Sequence, residues 1–421
     1  MRKYLQQSSS AFVIWTALAA FLTYSAMYAF RKPLSAGTFS EYEMWGMSYK
    51  VILVITQVFG YLTAKFIGIK VIAELSPKNR VWLLIGLIAI AEFALLLFAI
   101  TPYPYGFLWI FFNGLPLGLI WGIVFSYIEG RKFTDVLATF LSVSFIISSG
   151  VVKTIGRLLV ENWGVSEFWM PVLVGALFFP LICIAASMLE MAPEPSEEDK
   201  KARTERLPMK AAERRALFNT FALGLTAILF VNFVMTIGRD IKDNFLVEIW
   251  QSLNVDITPS IFAKVETLVG IIVLALLALL VFVKNNAKAF QILHINILVG
   301  FLLVIASTYL FQIEVLGAWW WMLFHGVGLY LSYIAFQSLY FERFIATLRV
   351  NGNVGFLIYL SDFIGYLGSC LILIIKEVWG IQVDWSAFFI YLTYVMSVVG
   401  IVGVIVAQMS FNNKGKLIIK H

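Results

Sequence analysis

Two arginines stand where this strongly apolar chain has least reason to place a charge. Arg31 and Arg239 each fall in a long hydrophobic run, and each follows a methionine by four residues, Met27-x-x-x-Arg31 and Met235-x-x-x-Arg239. A guanidinium stays ionised at any cellular pH, and its rigid fork of donors fits two oxygens of a carboxylate or phosphate at once. A charge at the centre of a bilayer costs about 2.5 to 3.5 kcal/mol on insertion scales, so each arginine needs a counter-ion, a wet cavity or a bound anion. Asp240, Asp243, Glu266 and Asp362 are the acids that could neutralise them permanently. Their matching positions in the two halves of the chain favour an anionic ligand held by both.

Other charged and polar residues gather around that idea. Tyr24 and Tyr28 precede Arg31 by seven and three residues, which places all three on one face if the helix continues. Lys32 adds a second charge beside Arg31, and Lys65 lies either in the same cavity or close enough to a span end to snorkel. Lys153 and Arg157, four apart, either guard a cavity mouth or pair with acids such as Glu161. Glu266 and Asp362 either carry a coupling proton or make static pairs with Arg239 or Lys242. Glu92 has no local partner in sequence, and Lys50, Lys264 and Lys376 are expected to snorkel to the interface. His325 reads as a packed hydrogen-bonding residue, and His294 carries no signal.

The elements that must position these groups are membrane helices. The chain is 61% hydrophobic and 13% charged over 421 residues, and a soluble domain usually carries about twice that charged fraction. Roughly twenty apolar residues span a bilayer as a helix. Such stretches fall near 9–38, 46–69, 81–101, 105–128, 134–160, 168–190, 215–245, 259–283, 289–312, 318–341, 351–376 and 385–410. With the N-terminus inside, the inner loops hold 21 of the 31 Lys and Arg residues, and the outer loops hold acids such as Glu41, Glu161, Glu248 and Asp384. Twelve spans with both termini cytoplasmic satisfy the positive-inside rule along the whole chain. The expected organisation is a six-helix bundle over 1–190, a polar cytoplasmic linker over 191–214, and a second bundle over 215–421.

Internal matches support two halves. Trp109-x-x-Phe112-Asn113-Gly114 pairs with Trp321-x-x-Phe324-His325-Gly326 at an offset of 212 residues, and Met27/Arg31 with Met235/Arg239 at 208. Trp163-Gly164 pairs with Trp379-Gly380, and Tyr127-Ile128-Glu129 resembles Tyr340-Phe341-Glu342. Four matches in order, with slowly drifting offset, indicate a duplicated six-helix unit of the facilitator type, with its substrate at the midplane. Gly150, Gly156, Gly365 and Gly368 permit close helix approach in spans five and eleven.

Tyr24-x-x-x-Tyr28-x-x-Arg31-Lys32 resembles the first-helix signature of the organophosphate:phosphate antiporters of the major facilitator superfamily. Ala64-Lys65-Phe66 is similar to that family's lysine-bearing second-helix motif, Arg239 stands where its second substrate arginine lies, and Glu266 is similar in placement to its helix-eight glutamate. Gly365-Tyr366-Leu367-Gly368 resembles its helix eleven. The resemblance implies phosphate binding between Arg31 and Arg239, supported by Tyr24, Tyr28, Lys32 and Lys65, with exchange by alternating access. The chain departs from the pattern in three places. It lacks the Asp-Arg pair after span two, Asp240 replaces a tyrosine after Arg239, and Ile146 falls nearest the family's helix-five histidine, with Lys153 two turns further on.

The expected activity is therefore secondary transport of a small anion in a bacterial inner membrane. The alternatives are proton-coupled symport of a carboxylated or glycosidic solute through Glu266 or Asp362, and a transport-inactive sensor of a phosphorylated solute. The basic residues punctuate apolar spans instead of clustering on a soluble face, which argues against nucleic acid as a partner. No His-Glu-x-x-His, Gly-x-Ser-x-Gly or nucleotide-cradling loop is present, so no enzyme, cofactor or metal is expected. Cys183 and Cys370 lie in apolar spans and form no redox motif. The partners expected are the bilayer and the solute, with the protein acting as a monomer. The first apolar run lacks a small-residue cleavage site and is read as a span.

Overall fold

The computed structural model describes residues 5, 8–73, 79–128, 133–193, 211–253, 255, 258–283, 285–350, 354–378 and 384–419. Most of the expected linker, residues 194–210, lies outside them. The described chain is helical apart from turns and one small hairpin. In order, the helices are α1 (Ser9–Tyr28), α2 (Tyr49–Ala73), α3 (Arg80–Ile100), α4 (Phe107–Ile128), α5 (Thr134–Glu161), α6 (Met170–Glu190) and α7 (Ala211–Asn244). There follow α8 (Leu246–Ser252), α9 (Ser260–Ala278), α10 (Asn286–Gln312), α11 (Ala318–Ala335), α12 (Phe341–Leu348), α13 (Val354–Val378) and α14 (Trp385–Ile419). Eleven of them are long and apolar enough to cross a membrane by length and composition.

The twelfth crossing is α11. Its Trp319–Trp321, His325, Tyr330 and Tyr333 dilute its hydropathy, and a π-helical turn over Phe336–Tyr340 joins it to α12. A π-turn inserts one extra residue into the ladder and is frequent at functional positions. The protein is thus an all-α multi-pass membrane protein of twelve transmembrane helices.

Side chains close several helix ends. Ser8 Oγ accepts from the Ala11 amide at 3.3 Å, and Asn285 Oδ1 from the Lys288 amide at 3.0 Å. Asp384 Oδ1 accepts from the Ala387 amide at 2.7 Å and the Ser386 hydroxyl at 2.8 Å. Those donors hold the exposed Asp384 carboxyl below its usual range. The hairpin pairs Glu43–Met44 with Met47–Ser48 across Trp45 and Gly46, both at positive φ, as a type I′ turn requires.

Contacts divide the chain into two compact units. The first comprises Met1–Thr204, Asp243–Thr267 and Leu373–Gln382, and the second Glu205–Lys242, Leu268–Ile372 and Val383–His421. In the first unit α1 packs on α5 and α6, α2 on α4, and α3 on α4 and α6. In the second, α10 packs on α11 and α14. Close approach at glycine recurs in both. A Cβ on Gly150 would lie 2.5 Å from the Phe262 carbonyl, and one on Gly365 2.5 Å from Thr236 Oγ1. Any side chain at either position forces the facing helix away.

Two expectations need correction. The first span does not run as one helix to residue 38. It ends at Tyr28, continues through a turn in which the Phe30, Arg31 and Lys32 amides bond to Met27 and Tyr28 carbonyls, and forms a short 3₁₀ helix over Pro33–Ser35. Pro33 has no amide to continue the ladder and restricts Lys32 before it. Lys50 and Lys376 do not snorkel. Lys50 is 1% exposed, ion-paired with Glu248, bonded to the Ser35 carbonyl at 3.2 Å, and placed over the Phe245 ring. Lys376 is buried beside Glu377 at 3.4 Å. Lys264 is exposed.

Candidate functional site

In the first unit Arg31 sits in the turn after α1, and that turn is fastened through its backbone. Asn113 on α4 donates to the Phe30 carbonyl at 3.0 Å and to the Ala91 carbonyl on α3 at 3.1 Å. Gln57 on α2 donates to Asn113 Oδ1 at 2.8 Å and to the Arg31 carbonyl at 3.2 Å. Three helices thereby fix where Arg31 leaves the chain. Its guanidinium lies 4.4 Å from the centre of the Tyr61 ring, a cation–π arrangement that contributes about 0.5 to 2 kcal/mol. Lys65, one turn further along α2, lies over the same ring at 5.3 Å and over Trp121 at 5.5 Å. It is buried.

Tyr24 and Tyr28 are buried on α1, edge to face at 5.5 Å, and Tyr28 stacks on Phe145 of α5 at 6.2 Å. Because α1 stops at Tyr28, the single helical face expected for Tyr24, Tyr28 and Arg31 does not extend to the arginine.

Lys32 and Lys153 converge on a carboxylate that the sequence reading placed only among possible counter-ions of the arginines. Asp243 Oδ2 meets Lys32 Nζ at 2.6 Å, and Asp243 Oδ1 meets Lys153 Nζ at 2.6 Å. The Ser149 hydroxyl bonds to both Asp243 Oδ1 and Lys153. Lys32 also reaches Asn244 Oδ1 at 2.8 Å, which Ser35 shares at 3.2 Å. Lys153 and Arg157 part company here, since Arg157 pairs with Glu161 (Nε to Oε1, 2.8 Å) and donates to the Ala36 carbonyl. Glu266 is buried, with its Cβ packed toward Gly150. Glu92 keeps Oε2 buried against Gly175 and, among the described residues, without a hydrogen-bond partner.

Arg239, in the second unit, lies within α7 and is held through its side chain. Its Nε and Nη2 both donate to Oδ1 of Asp240, at 3.1 and 2.5 Å, and Nη1 donates to the Tyr333 hydroxyl. The guanidinium carbon is 4.4 Å from the Tyr333 ring centre and 5.3 Å from that of Tyr366. Asp362 accepts from Gln337 at 2.9 Å, and Gln337 also contacts Asn232 and Tyr333. Lys242 lies over the Tyr330 ring at 5.4 Å. His325 bonds to Thr393 at 3.0 Å, and His294 bridges the Phe290 carbonyl and the Tyr340 hydroxyl, each at 2.9 Å. Both histidines are packed hydrogen-bonding residues.

Sequence reasoning did not assign roles to Gln57, Asn113, Tyr61, Tyr333 and Gln337. The Asn113/His325 repeat match was the one available signal, and it marks positions that pin neighbouring helices.

Comparison with solved structures gives the fold. The chain is similar to the crystal structure of a D-xylose-proton symporter, with a TM-score of 0.62 over 94% of this chain and 96% of that one, at 13% sequence identity. That likeness is of the major facilitator fold. No curated protein matches the chain in sequence. A family model described as "Family of unknown function (DUF5690)" matches residues 33–414, and the chain belongs to that family.

Proposed function

We propose that this protein is a secondary transporter of a small anionic solute, such as phosphate or an organophosphate, working by alternating access in the bacterial cytoplasmic membrane with both termini inside. The observation that carries the reading is a pair of buried lysines that share one carboxylate in the first unit. Lys50 is matched by Glu248, Arg157 by Glu161, and Lys376 by Glu377. Lys32 and Lys153 both rest on Asp243, and Arg31 and Lys65 are also buried in this unit. Two ammonium groups desolvated against one carboxylate are costly unless a further anion completes them. Arg31 and Arg239 recognise that anion, with Tyr24, Tyr28, Lys32 and Lys65 in support.

The test is exchange by the protein in proteoliposomes loaded with phosphate. Labelled phosphate or a sugar phosphate should enter, and Arg31→Lys or Arg239→Lys should each lower the rate about 30- to 100-fold, because an ammonium does not reproduce two parallel charged hydrogen bonds. Undiminished exchange by the double lysine variant overturns the reading. Ligand-induced thermal shifts across phosphates, sugar phosphates and carboxylates on purified protein identify the solute class.

A second reading, proton-coupled symport of a carboxylated or glycosidic solute, is favoured by the Arg239–Asp240 pair, which already neutralises one arginine. Uptake driven by a proton gradient in vesicles containing no exchangeable anion separates it from exchange.

A further inference from the structure

Arg239 and Asp240 are consecutive on α7, and consecutive helical residues do not face each other. The pair closes nonetheless, in an unusual way. Both donors, Nε and Nη2, fall on the single oxygen Oδ1 of Asp240. A fork-to-fork pair would place one donor on each oxygen. Asp240 Oδ2 is therefore left fully buried and, among the described residues, accepts no hydrogen bond. Leaving a buried anionic oxygen without a donor costs desolvation energy, and a proton removes that cost.

We propose that Asp240 is the proton-accepting group of this transporter and that it masks and unmasks Arg239 for the solute. With Asp240 ionised, the guanidinium is held by its neighbour. A proton from water added to Oδ2 gives a neutral carboxylic acid, weakens the hold on Nε and Nη2, and takes the pair from charge 0 to +1. A monoanion restores neutrality, so one proton and one negative charge move together.

The described titratable and charged groups around the pair come from α7, α11 and α13. Arg239 comes from the same helix, and Tyr333 from α11 takes Nη1. From α13 come Tyr366 over the guanidinium and Cys370 within electrostatic reach of Asp240. Asp362, the other carboxylate of this cluster, already has a donor in Gln337. Among the two, only Asp240 presents a bare buried oxygen. Asp240 is a positioning residue for Arg239. The inference rests on the anion reading above, and it makes the second unit the proton-responsive half.

The experiment has two arms, both on the full chain. The first needs no solute: acid-minus-alkaline difference infrared spectra of purified protein report protonated carboxyls directly. The wild type should show a carboxylic C=O band that disappears in Asp240→Asn and returns, shifted, in Asp240→Glu. The second arm measures binding of inorganic phosphate as a function of pH. Comparing variant with wild type at each pH cancels the titration of phosphate itself. Linkage allows a coupled single proton to change affinity by up to about tenfold per pH unit. The wild type should tighten on acidification relative to Asp240→Asn, with Asp240→Glu restoring the slope.

An unchanged infrared band in Asp240→Asn, or the same pH slope in Asp240→Asn as in the wild type, overturns the proposal. Wild-type protein that binds no phosphate at any pH sinks the anion reading instead, and the infrared arm then judges Asp240 as a proton acceptor by itself.

Discussion

Arg31 and Arg239 occupy matching positions in the two sequence repeats and rest on tyrosine rings at the same 4.4 Å, yet they are secured by different means. Arg31 leaves a turn beyond the end of α1, and Asn113 and Gln57 fix that turn through the carbonyls of Phe30 and Arg31. Arg239 lies within α7, well beyond that helix's kink at Phe221, and its guanidinium itself is fastened by Asp240 and Tyr333. The turn that carries Arg31 is held through its backbone, and Arg239 is held through its guanidinium. A duplicated element has thus diverged in how its arginine-bearing segment is secured.

The largest expected effect tests how the charge of the first unit is held. Asp243→Asn leaves Lys32 and Lys153 buried without their carboxylate, and breaking such a buried arrangement costs about 3 to 5 kcal/mol. Thermal unfolding in detergent should fall by the corresponding margin. Wild-type stability in this variant would show that Asp243 does not compensate those lysines.

Next comes the backbone anchor of Arg31. Asn113→Ala strands the Phe30 carbonyl, while the Ala91 carbonyl keeps its bond within α3 and Gln57 keeps the Arg31 carbonyl, at about 1 to 3 kcal/mol for a buried group left unsatisfied. Unfolding temperature and phosphate binding should drop together. Lost stability with intact binding would mean that the turn does not place Arg31 for the solute.

A third prediction separates ring from hydroxyl. Tyr333→Phe deletes the acceptor for Arg239 Nη1 and should cost about 1.5 to 3 kcal/mol, the range for a hydrogen bond to a charged group. Tyr61→Phe keeps the aromatic face beneath Arg31, so the cation–π contribution of about 0.5 to 2 kcal/mol should survive. Equal losses in the two variants, read by unfolding or by phosphate binding, would erase the distinction between the arginines.

The smallest effect lies away from both. Asp384→Ala removes the cap of α14 and should cost about 1 kcal/mol. The carboxyl of Asp384 is held below its usual range, so its contribution is present above the unfolded-state value and fades as pH falls through the lowered one. The gap between variant and wild type should therefore close in acid.

Much of the fold was legible because membrane insertion writes itself into local composition. Apolar length, Lys and Arg in alternate loops, and paired motifs such as Trp109/Trp321 each survive without knowledge of contacts. The span ends were less legible. Pro33 signalled that α1 would stop early, yet the apolar run through Phe30 masked it. The low hydropathy of α11 comes from its tryptophans, tyrosines and His325, of which the repeat had marked Trp321 and His325.

Sequence by itself determined a polytopic helical protein with buried arginines at matched positions, since charge and hydropathy need only neighbours along the chain. Which group meets which charge was decided by tertiary structure alone. Asp243 gathering Lys32 and Lys153, Tyr61 lying under both Arg31 and Lys65, and Asp240 closing on Arg239 with one oxygen each depend on distances of a few ångströms between side chains. Lys32 and Lys153 pass over nearer acids in sequence, such as Glu41 and Glu161, to meet Asp243. An ion pair or hydrogen bond weakens steeply with separation and angle, so only the folded geometry could choose among them.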